Sequence, residues 1–267
     1  MSDRPILPDA SFLRALRIQR DVIAALILRE LHTRFGRENL GYLWLFIEPM
    51  ILAGCVALLH ELTGHGLPGG MAAFPFYILS YTPHYMLRAI ITRAPDALSG
   101  NIPLFYHARV RLHDVLLART LLELAAVLVA MLAFLTGLGV VTGMWPEDPV
   151  RIGLAMVMTA ALMHGVGVLV CALTVFGHGT IERIVHPATY LALPLSGSFF
   201  MMWWLPQHAQ DALWWVPTVH IYEFIREAYF GPVVPYVYDL GYLAAWALLG
   251  NVIGLLALRA ARPHMEL

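Results

Sequence analysis

Apolar segments of about 20 residues recur along this chain and restrict it to one class of fold. We identify six of them, at residues 41–61, 73–93, 112–141, 151–176, 186–205 and 239–260. Because a helix of about 20 residues spans the ~30 Å hydrocarbon core of a bilayer, such segments suit a membrane. Of the 267 residues, 59% are hydrophobic and 13% are charged, against roughly 25% charged in soluble domains. These features predict an all-α membrane protein, with residues 1–267 forming a single transmembrane domain of six helices.

The arginines indicate how the six segments are oriented. The chain contains 17 basic residues, all of them arginine. One side of the predicted membrane would carry Arg4, Arg14, Arg17, Arg20, Arg29, Arg34, Arg37, Arg93, Arg109, Arg111, Arg183, Arg259 and Arg262. The opposite side would carry only Arg151 and Arg226. Since cytoplasmic loops are enriched in basic residues, this asymmetry predicts that both termini are cytoplasmic.

Residues 11–35 precede the first apolar segment and show helical periodicity. Within residues 11–28, one side of a helix would carry Phe12, Leu16, Ile23, Leu26 and Ile27. The other side would carry Arg14, Arg17 and Asp21. This pattern predicts an amphipathic helix on the inner membrane surface. A helix packed on another subunit is an alternative that the pattern leaves open.

Residues 206–238 are too charged for a membrane span and too apolar for a solvated loop. They include Trp214, Trp215, Glu223 and Arg226. A re-entrant helical hairpin before the last span fits this composition, because non-helical backbone at membrane depth needs protein or water around it. An interfacial loop anchored by tryptophans is the alternative.

Two charged residues lie inside the first two apolar segments. Glu48, followed by Pro49, lies ~12 Å into the first segment, and Arg88 lies ~8 Å from the end of the second. Their similar depth suits an ion pair between them. The alternatives are snorkelling of Arg88 to the headgroups and a purely structural partner for Glu48.

The third apolar segment carries three charged residues. Arg119 and Glu123 are four residues apart, which predicts an internal ion pair on one helix face. Asp114 lies at the start of the segment, where a carboxylate suits a helix N-terminus.

The histidines and cysteines show no catalytic pattern. The sequence contains no HxxH or HExxH pair and no glycine-rich phosphate-binding loop with its lysine. Cys55 and Cys171 both lie in apolar runs, as is typical of buried thiols. We therefore predict no metal site and no catalytic residues. The net charge of −1 gives no indication of a nucleic-acid partner.

The loop of residues 94–111 connects the second and third segments. It contains a short helical pattern from Pro95 to Leu104, and Pro95 suits a first-turn position. A short helix between two spans suits a soluble partner that moves the spans by displacing this helix. A plain connector is the alternative.

Three blocks of the sequence resemble a known family. The first block joins Arg29-Glu30, residues 33–37 (TRFGR), residues 40–44 (LGYLW) and Glu48-Pro49. It resembles the signature of type-2 ABC transporter permeases for polysaccharides, and its Glu-Pro ending resembles the capsular polysaccharide export branch. The other blocks run from Asn101 to Arg119 and from Trp214 to Phe230, with Trp215 where asparagine is usual.

The resemblance covers nearly the whole chain and implies a set of partners. It implies a homodimer in the bacterial inner membrane, with each subunit docked on an ATP-binding cassette subunit. ATP and Mg would be bound by that partner, so this chain would carry no cofactor and would not be an enzyme by itself. A periplasmic polysaccharide co-polymerase and an outer-membrane channel would complete the path of a lipid-linked capsular polysaccharide.

The resemblance also selects candidate residues. Sugar rings bind aromatic faces, and acidic groups bind arginines. The substrate-channel candidates are Arg29, Arg34, Arg37, Tyr42, Trp44, Phe46, Glu48, Tyr81, Tyr85, Arg88 and Arg93. The candidates for coupling to the ATPase are Asp96, Leu98, Asn101, Pro103, Leu104 and Phe105.

Other functions stay open at this point. Within the same class, the cargo could be O-antigen or a teichoic-acid polymer. In another class, a membrane enzyme acting on lipid-linked sugar would need a compact acid/base or metal constellation. An ion-coupled carrier using Glu48 and Arg88 would usually show internal repeats, which this sequence lacks.

Overall fold

The computed structural model describes residues 12–35, 41–64, 66–105, 110–177 and 180–265. Its α-helices are α1 Phe12–Phe35, α2 Gly41–Leu62, α3 Ala73–Thr92, α4 Asp96–Ser99, α5 Ile102–Phe105, α6 Leu112–Thr142, α7 Pro149–Gly177, α8 Thr180–Ala192, α9 Gln207–Leu213, α10 Pro217–Phe230 and α11 Leu240–Ala261. No strand occurs within these ranges. The prediction of an all-α fold is therefore confirmed.

Five of the six apolar segments coincide with single helices. The helices are α2, α3, α6, α7 and α11, and their ends lie close to those predicted. Among the residues that the structure describes, three helices are long and apolar enough to cross a membrane, namely α6, α7 and the stretch Leu240–His264 that contains α11. The total of six spans stays a prediction.

The segment 186–205 is not a continuous helix, so that prediction is wrong. Helix α8 ends at Ala192, and two short 3-10 turns follow at Leu193–Leu195 and Met202–Trp204. Pro194 lacks the N–H group that a continuing α-helix would need. Gly197 has a φ of 95°, outside the helical region. Apolar composition alone does not distinguish a broken segment from a helical one.

The closest helix packing in the described structure joins α7 and α11. A Cβ atom built on Gly254 would lie 2.7 Å from the carbonyl oxygen of Gly165. The Asn251 side chain donates to the Ala161 carbonyl at 2.8 Å. Small residues allow two backbones to approach closely, as is common between helices in membranes. The two helices run parallel, because residues 161, 165 and 176 face residues 251, 254 and 264 in order.

We expect replacement of Gly254 by leucine to force α7 and α11 apart. The clash is with backbone, which no change of side-chain rotamer relieves, so the cost should reach about 1–3 kcal/mol. Thermal unfolding in detergent measures this effect. Gly250→Leu is the matched control, because a Cβ atom there meets nothing within 4 Å. Equal melting temperatures for the two variants would contradict the packing described.

Helices α1, α4 and α5 lie at one end of the helix bundle, which we call the arginine-rich end. There the α1 side chain of Gln19 donates to Asp114 at the start of α6 at 3.2 Å. Helices α9 and α10 lie at the other end, which we call the distal end. There the backbone N–H of Glu147, between α6 and α7, donates to the Tyr229 carbonyl at 3.1 Å.

Helix α1 agrees with the helix predicted over residues 11–35. Its second half packs on the bundle, where Leu26 is buried and Ile23 and Ile27 are partly buried. Its first half leaves Phe12 and Leu16 exposed, at 75% and 45%. The described part of the chain therefore covers this apolar stripe only in part. Its placement on a membrane surface stays a prediction.

Residues 206–238 contain two helices, α9 and α10, followed by a non-helical stretch over residues 231–238. Helix α10 is buried along Val219–Arg226 and packs on α3, α7 and α11. Trp215, between the two helices, is exposed. The segment is helical over α9 and α10, and the re-entrant hairpin stays a prediction.

The described residues of the loop 94–111 contain two short helices where one was predicted. Pro95 precedes α4 as its N-cap residue, and α4 ends at Ser99. The side chain of Asn101 donates to the Ala97 carbonyl at 3.0 Å. Pro103 lacks the N–H that would continue the helix through Asn101, so a new turn, α5, begins at Ile102.

Candidate functional site

Four charged side chains form a network where α1, α3 and α6 meet at the arginine-rich end. We call Glu30, Arg93, Arg119 and Glu123 the junction network. The Nε atom of Arg119 lies 3.1 Å from Oε1 of Glu30, and Nη1 of Arg119 donates to the Arg93 carbonyl at 2.8 Å. Nη1 of Arg93 donates to Oε1 of Glu123. The network therefore ties α6 to both α1 and α3.

The junction network combines two buried carboxylates with two arginines, of which the Arg119 side chain is 15% exposed and the Arg93 side chain is 37% exposed. Glu123 is 1% exposed and Glu30 is 9% exposed. Charges withdrawn from water are tolerated when each has a partner, and removing one partner is strongly destabilising. Arg119 and Glu123 were predicted to pair with each other along α6. The structure gives each of them a partner on a neighbouring helix, which their spacing in the sequence did not indicate.

A second contact joins α1 to the loop between α3 and α6. Nη1 of Arg29 donates to Oδ1 of Asn101, whose side chain is buried. Arg29 was predicted in the substrate channel and Asn101 in the coupling region. The structure brings these two residues together. Because Arg29 and Glu30 are adjacent, α1 is held to the loop and to α6 at the same level.

The first turn of α6 is fixed by Asp114. Its carboxylate accepts from the backbone N–H of Arg111 at 3.0 Å and from the Gln19 side chain at 3.2 Å. The prediction that Asp114 suits a helix N-terminus is confirmed. The same carboxylate also attaches α1 to α6, so α1 contacts α6 at two points along its length.

Two histidines that no sequence motif singled out meet between α6 and α7. The Nε2 atoms of His113 and His164 are 3.4 Å apart, and Nδ1 of His164 lies 2.9 Å from the Thr120 hydroxyl. A hydrogen bond between two Nε2 atoms requires one N–H and one lone pair, so it forms only when at least one ring is neutral. Among the described residues, no group of three or more histidine, cysteine or carboxylate side chains could hold a metal ion.

Apart from Arg29 on α1, the described channel candidates lie along α3 and at its arginine-rich end. Tyr85 is 6% exposed in the core, and Tyr81 is partly buried beside it. The Arg88 guanidinium lies 4.6 Å from the ring centre of Tyr190 on α8, a cation–π contact. Arg93 belongs to the junction network.

The remaining channel candidates lie outside what the structure describes. Arg37 falls between the described ranges, and the side chains of Arg34, Tyr42, Trp44, Phe46 and Glu48 are likewise not described. The ion pair between Glu48 and Arg88 stays a prediction.

The coupling candidates divide into an outer and an inner face. Asp96 and Pro103 are exposed, whereas Leu98, Leu104 and Phe105 pack against a buried cluster that contains Leu26 of α1. The outer face borders a groove of about 770 Å³ whose other walls include Phe176 of α7, Glu182 of α8 and His264. The loop thus has one face open for docking and one face in contact with α1.

The distal end contains a second buried polar cluster, centred on α10. Arg226 is fully buried and donates to the Phe200 carbonyl at 2.7 Å, to the Ser80 hydroxyl at 2.8 Å and to the Ser198 carbonyl. Its guanidinium lies 4.1 Å from the ring centre of Phe76. These contacts hold the irregular segment after α8 against α3 and α10. The position of Arg226 in the sequence did not indicate that it would hold this segment.

Glu223 completes the distal cluster. Its carboxylate accepts from the backbone N–H of Met202 at 2.9 Å and from that of Val237 at 3.1 Å. Burial raises the pKa of Glu223 above its usual value, while these hydrogen bonds and nearby Arg226 act in the opposite direction. Side chains of α10 therefore bind both the irregular segment before α9 and the non-helical segment after α10.

Comparison with known proteins gives relatives along most of the chain, although no family model matches it. The capsule polysaccharide export inner-membrane protein BexB of Haemophilus influenzae is 31% identical over 263 residues, which cover 96% of this chain and 97% of that protein. The corresponding protein CtrC of Neisseria meningitidis serogroup B is 34% identical over 84% of this chain and 85% of its own length. The polysialic acid transport protein KpsM of Escherichia coli is 30% identical over 93% and 96%.

Proposed function

Because the chain belongs to the family of capsule polysaccharide export inner-membrane proteins, we propose that it is the permease of an ATP-driven exporter of lipid-linked capsular polysaccharide. Its apolar helices suit a membrane component of capsule export. We further propose that it acts as a homodimer with cytoplasmic termini. In this proposal each copy binds an ATP-binding cassette subunit, which holds ATP and Mg.

The relatives carry the proposal, and the double attachment of α1 at the arginine-rich end supports its coupling step. Arg29 contacts the loop through Asn101, and the next residue, Glu30, contacts α6 through Arg119. A displacement of the loop therefore reaches α1 directly and α6 through α1. Packed interfaces switch between discrete arrangements rather than deforming smoothly, so such a displacement is transmitted.

We propose that the ATP-binding subunit docks on the outer face of α4 and α5. The groove of about 770 Å³ beside this face is open, and Asp96, Ser99 and Ile102 border it. Closure of the ATP-binding subunits would then push on the loop. The junction network would carry the movement from the loop to α3 through Arg93.

We propose that α3 forms part of the path of the polymer. Arg88 offers a charge to acidic groups, and the rings of Tyr81 and Tyr190 lie within the same region. Since Tyr85 is buried in this conformation, it would reach the polymer only after α3 has moved. One relative is named for polysialic acid, an acidic polymer, which supports an acidic cargo. The periplasmic co-polymerase and the outer-membrane channel belong to the same proposal.

We expect Ile102→Glu to uncouple the chain from its ATP-binding partner. Ile102 is 37% exposed on the proposed docking face, so a carboxylate there would be desolvated on docking without disturbing the fold of the chain alone. ATP-dependent export should fall by about tenfold or more, and co-purification of the partner should weaken. Surface capsule and pull-down yield are the two measurements.

Val233→Glu is the matched control for that experiment. Val233 is 59% exposed in the non-helical stretch after α10, at the end of the bundle opposite to the proposed docking face. Export should stay close to the unmodified level. Full export and full co-purification by the Ile102→Glu chain would place the docking face elsewhere.

A further inference from the structure

A groove of about 370 Å³ lies between the end of α11, the start of α6 and the loop that precedes it. Its basic lining consists of Arg111, His113, Arg259 and Arg262. The rest of the lining is apolar and includes Phe105, Leu255 and Leu258. No carboxylate of the described residues lines the groove. Its lining is therefore both cationic and apolar.

The charge of this groove is not balanced by neighbours within the described ranges. None of the ion pairs found there involves Arg111, Arg259 or Arg262. The nearest carboxylate along α6 is Asp114, whose oxygens accept from the Arg111 backbone and from Gln19. All three arginines are exposed. The groove consequently suits a ligand that brings its own negative charge.

The side chains on one face of α11 indicate that the ligand also has an apolar part. Leu248, Val252 and Leu255 are followed by Arg259 and Arg262 at alternating spacings of four and three residues, which places all five on one helix face. The three apolar members are 69%, 46% and 43% exposed. Since α11 belongs to a stretch that is long and apolar enough to cross a membrane, this stripe would pass from hydrocarbon to headgroup depth in a bilayer. Leu255 and Arg262 are separated by ~10 Å along the axis.

We propose that this groove binds one anionic phospholipid, of the phosphatidylglycerol type. The guanidinium groups of Arg259, Arg262 and Arg111 would bind the phosphate, because arginine presents paired donors to phosphate oxygens. The acyl chains would lie along the stripe of α11. Basic pockets between membrane helices bind lipid headgroups in this manner. The groove is lined by α6, α11 and the loop that precedes α6, and none of the channel candidates lines it; the proposal therefore takes the lipid as a resident ligand rather than the cargo.

The test uses the full chain purified in detergent and titrated with fluorescently labelled phosphatidylglycerol. We expect the double variant Arg259→Gln/Arg262→Gln to bind at least about tenfold more weakly than the unmodified chain. Arg14→Gln/Arg17→Gln is the charge-matched control at the same end of the molecule, and it should change the affinity less than about twofold. Labelled phosphatidylcholine should bind the unmodified chain and both double variants much more weakly than phosphatidylglycerol binds the unmodified chain.

Two further measurements separate a specific lipid site from misfolding and from a site for free phosphate. Size-exclusion profiles and melting curves show whether the Arg259→Gln/Arg262→Gln chain is folded, and Arg111→Gln provides a milder change in the same groove. If both double variants bound phosphatidylglycerol equally weakly, the lipid would be attracted to the positive surface in general and not to this groove. That result would overturn the proposal. Displacement of the lipid by millimolar inorganic phosphate would also overturn it, because the groove would then be a site for free phosphate.

Discussion

Glu123→Ala is expected to destabilise the chain by about 1–3 kcal/mol, because it removes a buried carboxylate that accepts a charge-assisted hydrogen bond from the partly exposed Arg93. Glu123 is 1% exposed, and its carboxylate accepts a hydrogen bond from Arg93 on another helix. Loss of the carboxylate leaves the Arg93 side chain without this acceptor and the junction network with excess positive charge. Melting temperature in detergent and the amount of chain recovered from membranes are the measurements.

A matched control and a double-mutant cycle isolate the effect of the ion pair. Glu61→Ala removes an exposed carboxylate at the end of α2 and should be nearly neutral. Glu123→Ala combined with Arg93→Ala should recover part of the loss, because the unpaired charge disappears together with its partner. Additive effects of the two single variants would contradict a direct ion pair.

Replacement of Arg226 by methionine is expected to have an effect of similar size at the distal end. The substitution leaves the Ser198 and Phe200 carbonyls and the Ser80 hydroxyl without their common donor. It also leaves Glu223 without the nearby positive charge. Unsatisfied buried groups cost about 1–3 kcal/mol each. We therefore expect the segment 193–204 to detach from α10 and export to fail.

Hydrogen exchange distinguishes detachment of that segment from general unfolding. In the Arg226→Met chain, amides near Ser198 should exchange faster, while amides of α6 and α7 stay protected. Arg226→Lys should restore stability only in part, because a single ammonium group does not reproduce the planar set of donors. Arg183→Met, an exposed change on α8, should be silent. Unchanged exchange near Ser198 in the methionine variant would show that Arg226 does not hold the segment.

The sequence was informative wherever a helix is continuous. Long apolar runs located α6, α7 and α11 closely, because a buried or lipid-facing helix needs little more than apolar side chains. The break after α8 was missed, although Pro194 and Gly197 were visible signals. The mean hydropathy of a segment hides a local bend, and only the backbone requirements of individual residues reveal it.

The candidate site was predictable only in part for a similar reason. Local spacing indicated that Arg119 and Glu123 share a face of α6. Their ion-pair partners lie elsewhere in the chain: Arg119 pairs with Glu30 on α1, and Glu123 pairs with Arg93 at the end of α3. The resemblance to the family selected Arg29 and Asn101 separately and gave no reason to join them. His113 and His164 are 51 residues apart, so no motif could have paired them. Contacts of this kind depend on the packing order of the helices.

The most direct test of the central claim is transport by the purified chain together with its ATP-binding subunit in sealed vesicles. The complex should move lipid-linked capsular polysaccharide across the membrane only when ATP and Mg are supplied, and the Ile102→Glu complex should not. Polymer that becomes accessible to a membrane-impermeant glycan hydrolase on the far side is the measured quantity. Equal translocation without ATP, or by the chain without its ATP-binding partner, would contradict the account.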